Sequence, residues 1–244
     1  MQIKETFSER MLFVPKKRQM LFGIFCWFMY LFGFSLLLPL FFDVKTPEGY
    51  FWYATAADIA CFLLVLIVFF PLLRDSRHTL FVKDLVIATL IGFGIYYVLD
   101  FAAEWIVVDV AIFRYFFMDR QTFLTNPNQE GVEYLLNYSP WVRWVCTIIL
   151  APVTEELLVR GMIFAPLCKK KPWLAYVVSC TVFVSLHLIA AIGQVSALNM
   201  VLLALLYLPG SIALGWAYQK TRNIYGPIAL HCTINLYATI MTGL

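Results

Sequence analysis

Charged residues are scarce in this chain, and their scarcity decides the class of protein. Lys, Arg, Asp and Glu make up 14% of the 244 residues, against about 25% in an ordinary soluble domain. Apolar residues make up 62%, and the mean hydropathy is +0.80. So few polar side chains cannot cover a water-soluble surface of this size. The composition excludes a soluble enzyme, a nucleic-acid-binding protein and a disordered chain, and it indicates a membrane protein with several spans.

The six cysteines lack the spacing of a disulfide framework or a zinc knuckle. No Cys-x-x-Cys pair occurs, and Cys168 adjoins three lysines. The other five lie inside apolar segments: Cys26, Cys61, Cys146, Cys180 and Cys232. We therefore predict no disulfide bonds and no cysteine-based metal site.

The motifs of several well-known hydrolases are missing. The sequence has no His-Glu-x-x-His, no Gly-x-Gly-Asp and no Gly-x-Ser-x-Gly. These absences argue against a helix-borne zinc protease motif, a paired-aspartate protease and a serine nucleophile elbow. A transporter is disfavoured as well, because the two halves of the chain show no internal symmetry.

Long uncharged segments predict seven transmembrane helices in an all-α, polytopic bundle that forms a single domain over residues 1–244. Each segment is long enough to cross a bilayer of roughly 30 Å at about 1.5 Å per residue. The first is too long for a signal peptide and no small-residue cleavage site follows it, so we expect it to be retained. The predicted spans are about Met20–Phe42, Phe51–Leu73, Leu85–Phe113, Trp141–Leu167, two segments within Pro172–Gln219 that meet near Gly193, and Ile224–Gly243. An eighth helix within Arg114–Pro140 remains open.

Basic residues predict the orientation in the membrane. Five of the 18 Lys and Arg residues lie within the first 18 positions, so residues 1–19 form a basic N-terminal segment. With this segment in the cytoplasm, seven spans place 13 basic residues on that side and four on the other, and Arg160 lies within a span. This bias predicts a cytoplasmic N-terminus.

Ionisable residues inside the spans mark the candidate functional site, because charges are unfavourable in a bilayer unless they face an interior or a cavity. The fourth span contains Glu155, Glu156 and Arg160. Glu156 and Arg160 are four residues apart, so they share a helix face and can pair, whereas Glu155 points about 100° away. This separation favours a structural pair beside one carboxylate that is free to act as a base. A purely structural buried network is the alternative.

The fifth and seventh spans contribute the other polar groups. His187 lies in the fifth, and His231 and Asn235 share one face of the seventh. Taken singly, each could form only a hydrogen bond between helices. Together with Glu155 they are the groups that activate water and stabilise an oxyanion, and a Glu with two His is also a workable zinc ligand set.

These motifs resemble the CAAX-protease and bacteriocin-processing (CPBP, or Abi) family of intramembrane proteases. The resemblance rests on Glu155-Glu156-x-x-x-Arg160, Phe183-x-x-x-His187 and His231-x-x-x-Asn235 in this order, and it covers about residues 126–237. It implies an endopeptidase in which Glu155 and His187 activate water. It further implies that His231 and Asn235 form the oxyanion hole and that Glu156 and Arg160 support the site.

The resemblance also sets expectations for substrate and location. It implies a membrane-associated, prenylated, pheromone or bacteriocin-type peptide as substrate, and the compact loops favour a bacterial cell membrane. A non-catalytic regulator that binds a sensor kinase or a secretion partner is the alternative function.

We favour a mechanism without a cofactor. Zinc held by Glu155, His187 and His231 is the alternative. Zinc-bound histidines usually donate to a neighbouring carboxylate or carbonyl, and no acidic residue lies near either histidine in the sequence.

Overall fold

The computed structural model describes residues 14–117 and 125–241, and within these ranges it is helical and contains no strand. This confirms the predicted all-α fold. The helices are α1 (Lys17–Leu40), α2 (Pro47–Arg77), α3 (Val82–Phe117), α4 (Pro127–Tyr138), α5 (140–168), α6 (Pro172–Ala191), α7 (Ala197–Thr221) and α8 (Tyr225–Met241).

Five helices in the described part of the chain are long and apolar enough to cross a membrane. They are α1, α2, α3 over Val82–Val110, α6 and α7. Large apolar side chains are also exposed on their outer faces; Leu21, Ile67 and Leu90 are each about 70% exposed, as expected where a bilayer covers the protein. The chain is therefore an integral membrane protein.

The fourth and seventh predicted spans correspond to α5 and α8. Helix α5 is interrupted by two π-helical segments, Cys146–Leu150 and Leu157–Phe164, which flank Ala151–Glu156. Helix α8 has 17 residues. The count of seven spans stays a prediction.

The segment in which an eighth helix was left open does contain one. Helix α4 has 12 residues and is therefore about 18 Å long, too short to cross roughly 30 Å of hydrocarbon. Residues 1–13, which contain part of the predicted basic N-terminal segment, lie outside the described residues, as do 118–124.

Local sequence signals explain where several helices begin. Thr46, Asn126 and Ser196 are N-caps whose side-chain oxygens accept a backbone N–H of the first turn, at 3.1–3.3 Å. Prolines occupy the first position of α2, α4, α5 and α6, where the missing N–H removes no helical hydrogen bond.

Helix α5 lies between two apolar clusters. Leu157 and Leu158 belong to the cluster that α5 forms with α1, α2 and Tyr218 of α7. The next residue, Val159, belongs to the cluster formed with α6, α7 and α8. This central position surrounds the polar residues of α5 with helices.

Candidate active site

A cavity of about 410 Å³ lies in the middle of the bundle, and all eight helices contribute to its walls. Its lining includes Glu155, His187, His231 and Asn235. The structure thus brings the four predicted catalytic residues together from three helices. Their catalytic roles remain a prediction.

Glu156 and Arg160 form the expected pair beside this cavity. Both side chains are fully buried, and Arg160 Nη1 donates to Glu156 Oε1 at 2.9 Å. Arg160 Nη2 also donates to the carbonyl and the hydroxyl of Ser211 on α7, both at 3.0 Å. The guanidinium lies over the Phe183 ring, 4.6 Å from its centroid. Arg160 therefore ties α5 to α6 and α7 as well as neutralising Glu156.

Glu156 has a second partner that the sequence spacing did not indicate. His231 Nδ1 lies 2.9 Å from Glu156 Oε1, the same oxygen that accepts from Arg160. A carboxylate oxygen accepts, so Nδ1 is the protonated nitrogen. Glu156 thereby fixes the orientation and the tautomer of the His231 ring, in addition to pairing with Arg160.

His231 faces Glu155 with its other nitrogen. Nε2 is 4.0 Å from Glu155 Oε2, a contact too long for a hydrogen bond. Glu155 Oε1 accepts from the Tyr30 hydroxyl of α1 at 3.4 Å, while Oε2 is buried and accepts no hydrogen bond from the described residues. Because Nδ1 already donates to Glu156, Nε2 carries a proton only when His231 is the imidazolium ion.

His187 is oriented by its own helix. Its Nδ1 lies 2.9 Å from the carbonyl oxygen of Phe183 one turn earlier. The carbonyl accepts, so Nδ1–H is the donor and neutral His187 has a lone pair on Nε2. Its ring also packs against those of Phe183 and Tyr207, with centroids 4.5 and 4.6 Å away.

Asn235 is held one helical turn beyond His231. Its Nδ2 donates to the Thr147 carbonyl oxygen, at 2.8 Å, in the first π-helical segment of α5. A side-chain amide has two N–H donors. The second one is not used by a hydrogen bond within the described residues and can serve a ligand.

Other cavity residues were not identified from the sequence as part of a site. Asp58 of α2 pairs with Arg143 of α5, with Nη1 and Oδ2 2.6 Å apart, and both line the cavity. Tyr30 and Tyr207 line it too. Because Asp58 is an ionisable residue within a predicted span, its position in the interior of the bundle was predictable. Nothing in a single sequence identified Arg143 as its partner.

The donor groups around His231 and His187 bear on the zinc alternative. The absence of acidic residues near either histidine in the sequence does not hold as an argument against zinc, because each ring has an acceptor in the fold. His231 Nδ1 donates to the carboxylate of Glu156, 75 positions away, and His187 Nδ1 donates to the carbonyl of Phe183. Zinc-bound histidines commonly donate their second ring N–H to a carboxylate or a backbone carbonyl in the same way. In the described ranges, however, no three His, Cys, Asp or Glu side chains lie close enough together to hold a metal ion. Glu155, His187 and His231 do not fit a three-ligand site in this arrangement, and we derive no step through a metal.

Comparison with known proteins bears on this site. Residues 137–237 match the family model "Type II CAAX prenyl endopeptidase Rce1-like". No curated protein and no solved structure matches the chain significantly. The matched range contains Glu155, Glu156, Arg160, His187, His231 and Asn235. Residues 137–237 are therefore an Rce1-like domain of the CAAX-protease type, consistent with the CPBP family that the motifs resemble.

Proposed function

We propose that this protein is an intramembrane endopeptidase that hydrolyses a peptide bond with water activated by Glu155. The proposal rests chiefly on one observation: a carboxylate, two imidazoles and an amide from three helices line one cavity inside a domain of a protease family. Each of these groups has a defined task in the hydrolysis of an amide.

The first step needs a base beside the attacking water. The carboxylate of Glu155 takes a proton from the water while its Oε1 keeps the contact with Tyr30. Neutral His187, with its Nε2 lone pair, accepts the second hydrogen bond of the water and orients it. The resulting hydroxide attacks the peptide carbonyl carbon.

The second requirement is stabilisation of the negative oxygen that forms on the carbonyl. The free N–H of Asn235 donates to this oxygen. His231 donates from Nε2 when it is protonated, while its Nδ1 keeps the hydrogen bond to Glu156. Fixed donors of this kind are effective because they need no reorientation as the charge develops.

The reaction closes when the C–N bond breaks. The proton that Glu155 took from water passes to the departing amine nitrogen, so that one product ends in a carboxylic acid and the other in an amine. The acid then gives its proton to the amine or to solvent and becomes a carboxylate. Glu155 is then ionised again for the next turnover. Only the water and the peptide are consumed.

The substrate we propose is a membrane-associated peptide, of the prenylated, pheromone or bacteriocin type. Its support is the family description and the position of the cavity within a bundle of apolar helices. A bacterial cell membrane with the N-terminus in the cytoplasm is the corresponding location. A membrane signalling or secretion partner belongs to the alternative function, in which the protein regulates by binding.

Peptide cleavage by purified protein separates these two functions. Wild-type protein should cleave, whereas Glu155→Gln should be folded and inactive because an amide cannot accept the proton of water. Glu48→Gln, the same change at an exposed position in the first turn of α2, is the matched control and should keep full activity. A Glu155→Gln protein that supports the biological function of the gene would favour a non-catalytic regulator.

A further inference from the structure

We propose that Tyr207 of α7 is a positioning residue that orients the imidazole of His187; the inference rests on the proposed function. Tyr207 lies outside the three motifs that resemble the family. Nevertheless, its ring packs directly on that of His187, with centroids 4.6 Å apart and planes inclined by 39°.

His187 needs such support because its own hydrogen bonding is sparse. The Nδ1 contact to the Phe183 carbonyl lies within α6, at a point where the helix changes to a final 3-10 turn at Ile189–Ala191. The side chain is only half-buried. A single hydrogen bond leaves the ring free to change rotamer unless neighbouring rings limit its movement. Phe183 and Tyr207 are the rings that do so.

The position of Tyr207 is fixed by its hydroxyl, which acts both as a hydrogen-bond donor and as an acceptor. The hydroxyl donates to Asn126 Oδ1 at 3.0 Å and accepts from Asn128 Nδ2 at 3.2 Å. Asn126 Oδ1 is also the N-cap oxygen that accepts from Gln129 N. The first turn of α4 therefore holds the Tyr207 ring in place from outside the Rce1-like domain.

The same short helix lines the cavity. Asn128, Gln129, Val132 and Leu136 of α4 form part of its wall. A direct line of contacts thus runs from this wall through the Tyr207 ring to His187. Tyr207 does not act on the reacting atoms in this arrangement; it acts through the histidine.

Steady-state kinetics tests the inference with two substitutions. Tyr207→Leu removes the ring and should lower kcat by about 10- to 100-fold with little change in KM, since misplacing a catalytic group by about 1 Å has effects of this size. Tyr207→Phe keeps the ring and loses only the hydroxyl anchors, so its kcat should be intermediate. Tyr176→Leu is the control, because Tyr176 also hydrogen-bonds and packs on an aromatic ring but does not line the cavity.

Histidine NMR gives a readout that does not depend on turnover. The chain has only three histidines, so imidazole labelling gives one set of signals from each of three rings. Tyr207→Leu should shift or broaden the signal of His187 and leave those of His78 and His231 in place. An unchanged His187 signal, or an unchanged kcat, would overturn the inference. If wild-type protein cleaves no peptide, the proposed function fails, while the NMR comparison still decides whether Tyr207 orients His187.

Discussion

In the proposed mechanism, Asn235 is the oxyanion donor that depends least on protonation, because its amide donates at any pH. Asn235→Ala should lower kcat by about 10²–10³-fold, the usual effect of losing one oxyanion donor. KM should change little, because the donor acts on charge that is absent from the bound substrate. Initial rates over a range of peptide concentrations check this. A rise in KM at constant kcat would instead assign Asn235 to substrate binding.

The buried charges of Glu156 and Arg160 should matter for stability. Glu156→Gln leaves the buried Arg160 without its counterion, and Arg160→Met leaves the buried Glu156 with only its contact to His231. Each change should lower the free energy of unfolding by about 3–5 kcal/mol. Unfolding in detergent, followed by circular dichroism, measures this change.

Asp75→Asn is the control for this pair, because the Arg74–Asp75 pair is exposed, with 61% and 32% of the two side chains accessible. It should shift stability by less than about 1 kcal/mol. A fully stable and inactive Glu156→Gln protein, together with an active Glu155→Gln protein, would show that the roles of the two glutamates are reversed.

At the scale of elements, Asn223 fixes the position of the first turn of α8, the helix that carries His231 and Asn235. Its side chain is almost fully buried in the turn between α7 and α8. Nδ2 donates to the Ser76 carbonyl at 2.7 Å and to the Thr79 hydroxyl at 3.2 Å, while Oδ1 accepts from Tyr225 N. One amide thus joins the end of α2 to the start of α8.

Asn223→Asp should separate the acceptor role of this side chain from its donor role. It keeps the oxygen that accepts from Tyr225 N and loses the hydrogen bonds to Ser76 and Thr79. We expect a loss of about 1–3 kcal/mol in stability, the usual effect of an unsatisfied buried group. Thermal unfolding measures it, with the exposed Asn137→Asp on α4 as control. Equal stability of the two variants would contradict a structural role for Asn223.

The elements also show what a single sequence can and cannot predict. Helix α5 and its Glu156–Arg160 pair were predictable, because apolar length and four-residue spacing are local properties. The hydrogen bond from His231 to Glu156 joins residues 75 positions apart, and it depends on how α8 packs against α5. The π-helical segments around Ala151–Glu156 could not be predicted, because the pattern of apolar residues does not distinguish them from the α-helix.

The residues that line the cavity were also only partly predictable from the sequence. The three motifs identified Glu155, His187, His231 and Asn235, because polar groups within apolar spans are conspicuous. Tyr30 and Tyr207 were not conspicuous, since aromatic residues make up 17% of the chain. Helices before the Rce1-like domain complete the cavity through Tyr30, Asp58 and Asn128, so the site depends on the whole bundle.

At the scale of the whole molecule, the orientation in the membrane is open to a direct test. Seven spans with a cytoplasmic N-terminus place the C-terminus outside. Reporter fusions at Leu244 and in the loop between Arg74 and Lys83 should therefore report opposite sides. Helix α4 is too short to alter this count. Fusions that report the same side would mean that the number of spans is even.

The central claim is that Glu155 activates water without a metal ion. The most direct measurement is the single-turnover rate of peptide cleavage by chelator-washed protein of known metal content, with wild type compared to Glu155→Gln. The account predicts that metal-free wild-type protein cleaves and that Glu155→Gln is slower by about 10²–10⁴-fold, the contribution of a general base. Equal rates for the two proteins, or activity that is lost on chelation and restored by stoichiometric zinc, would contradict it.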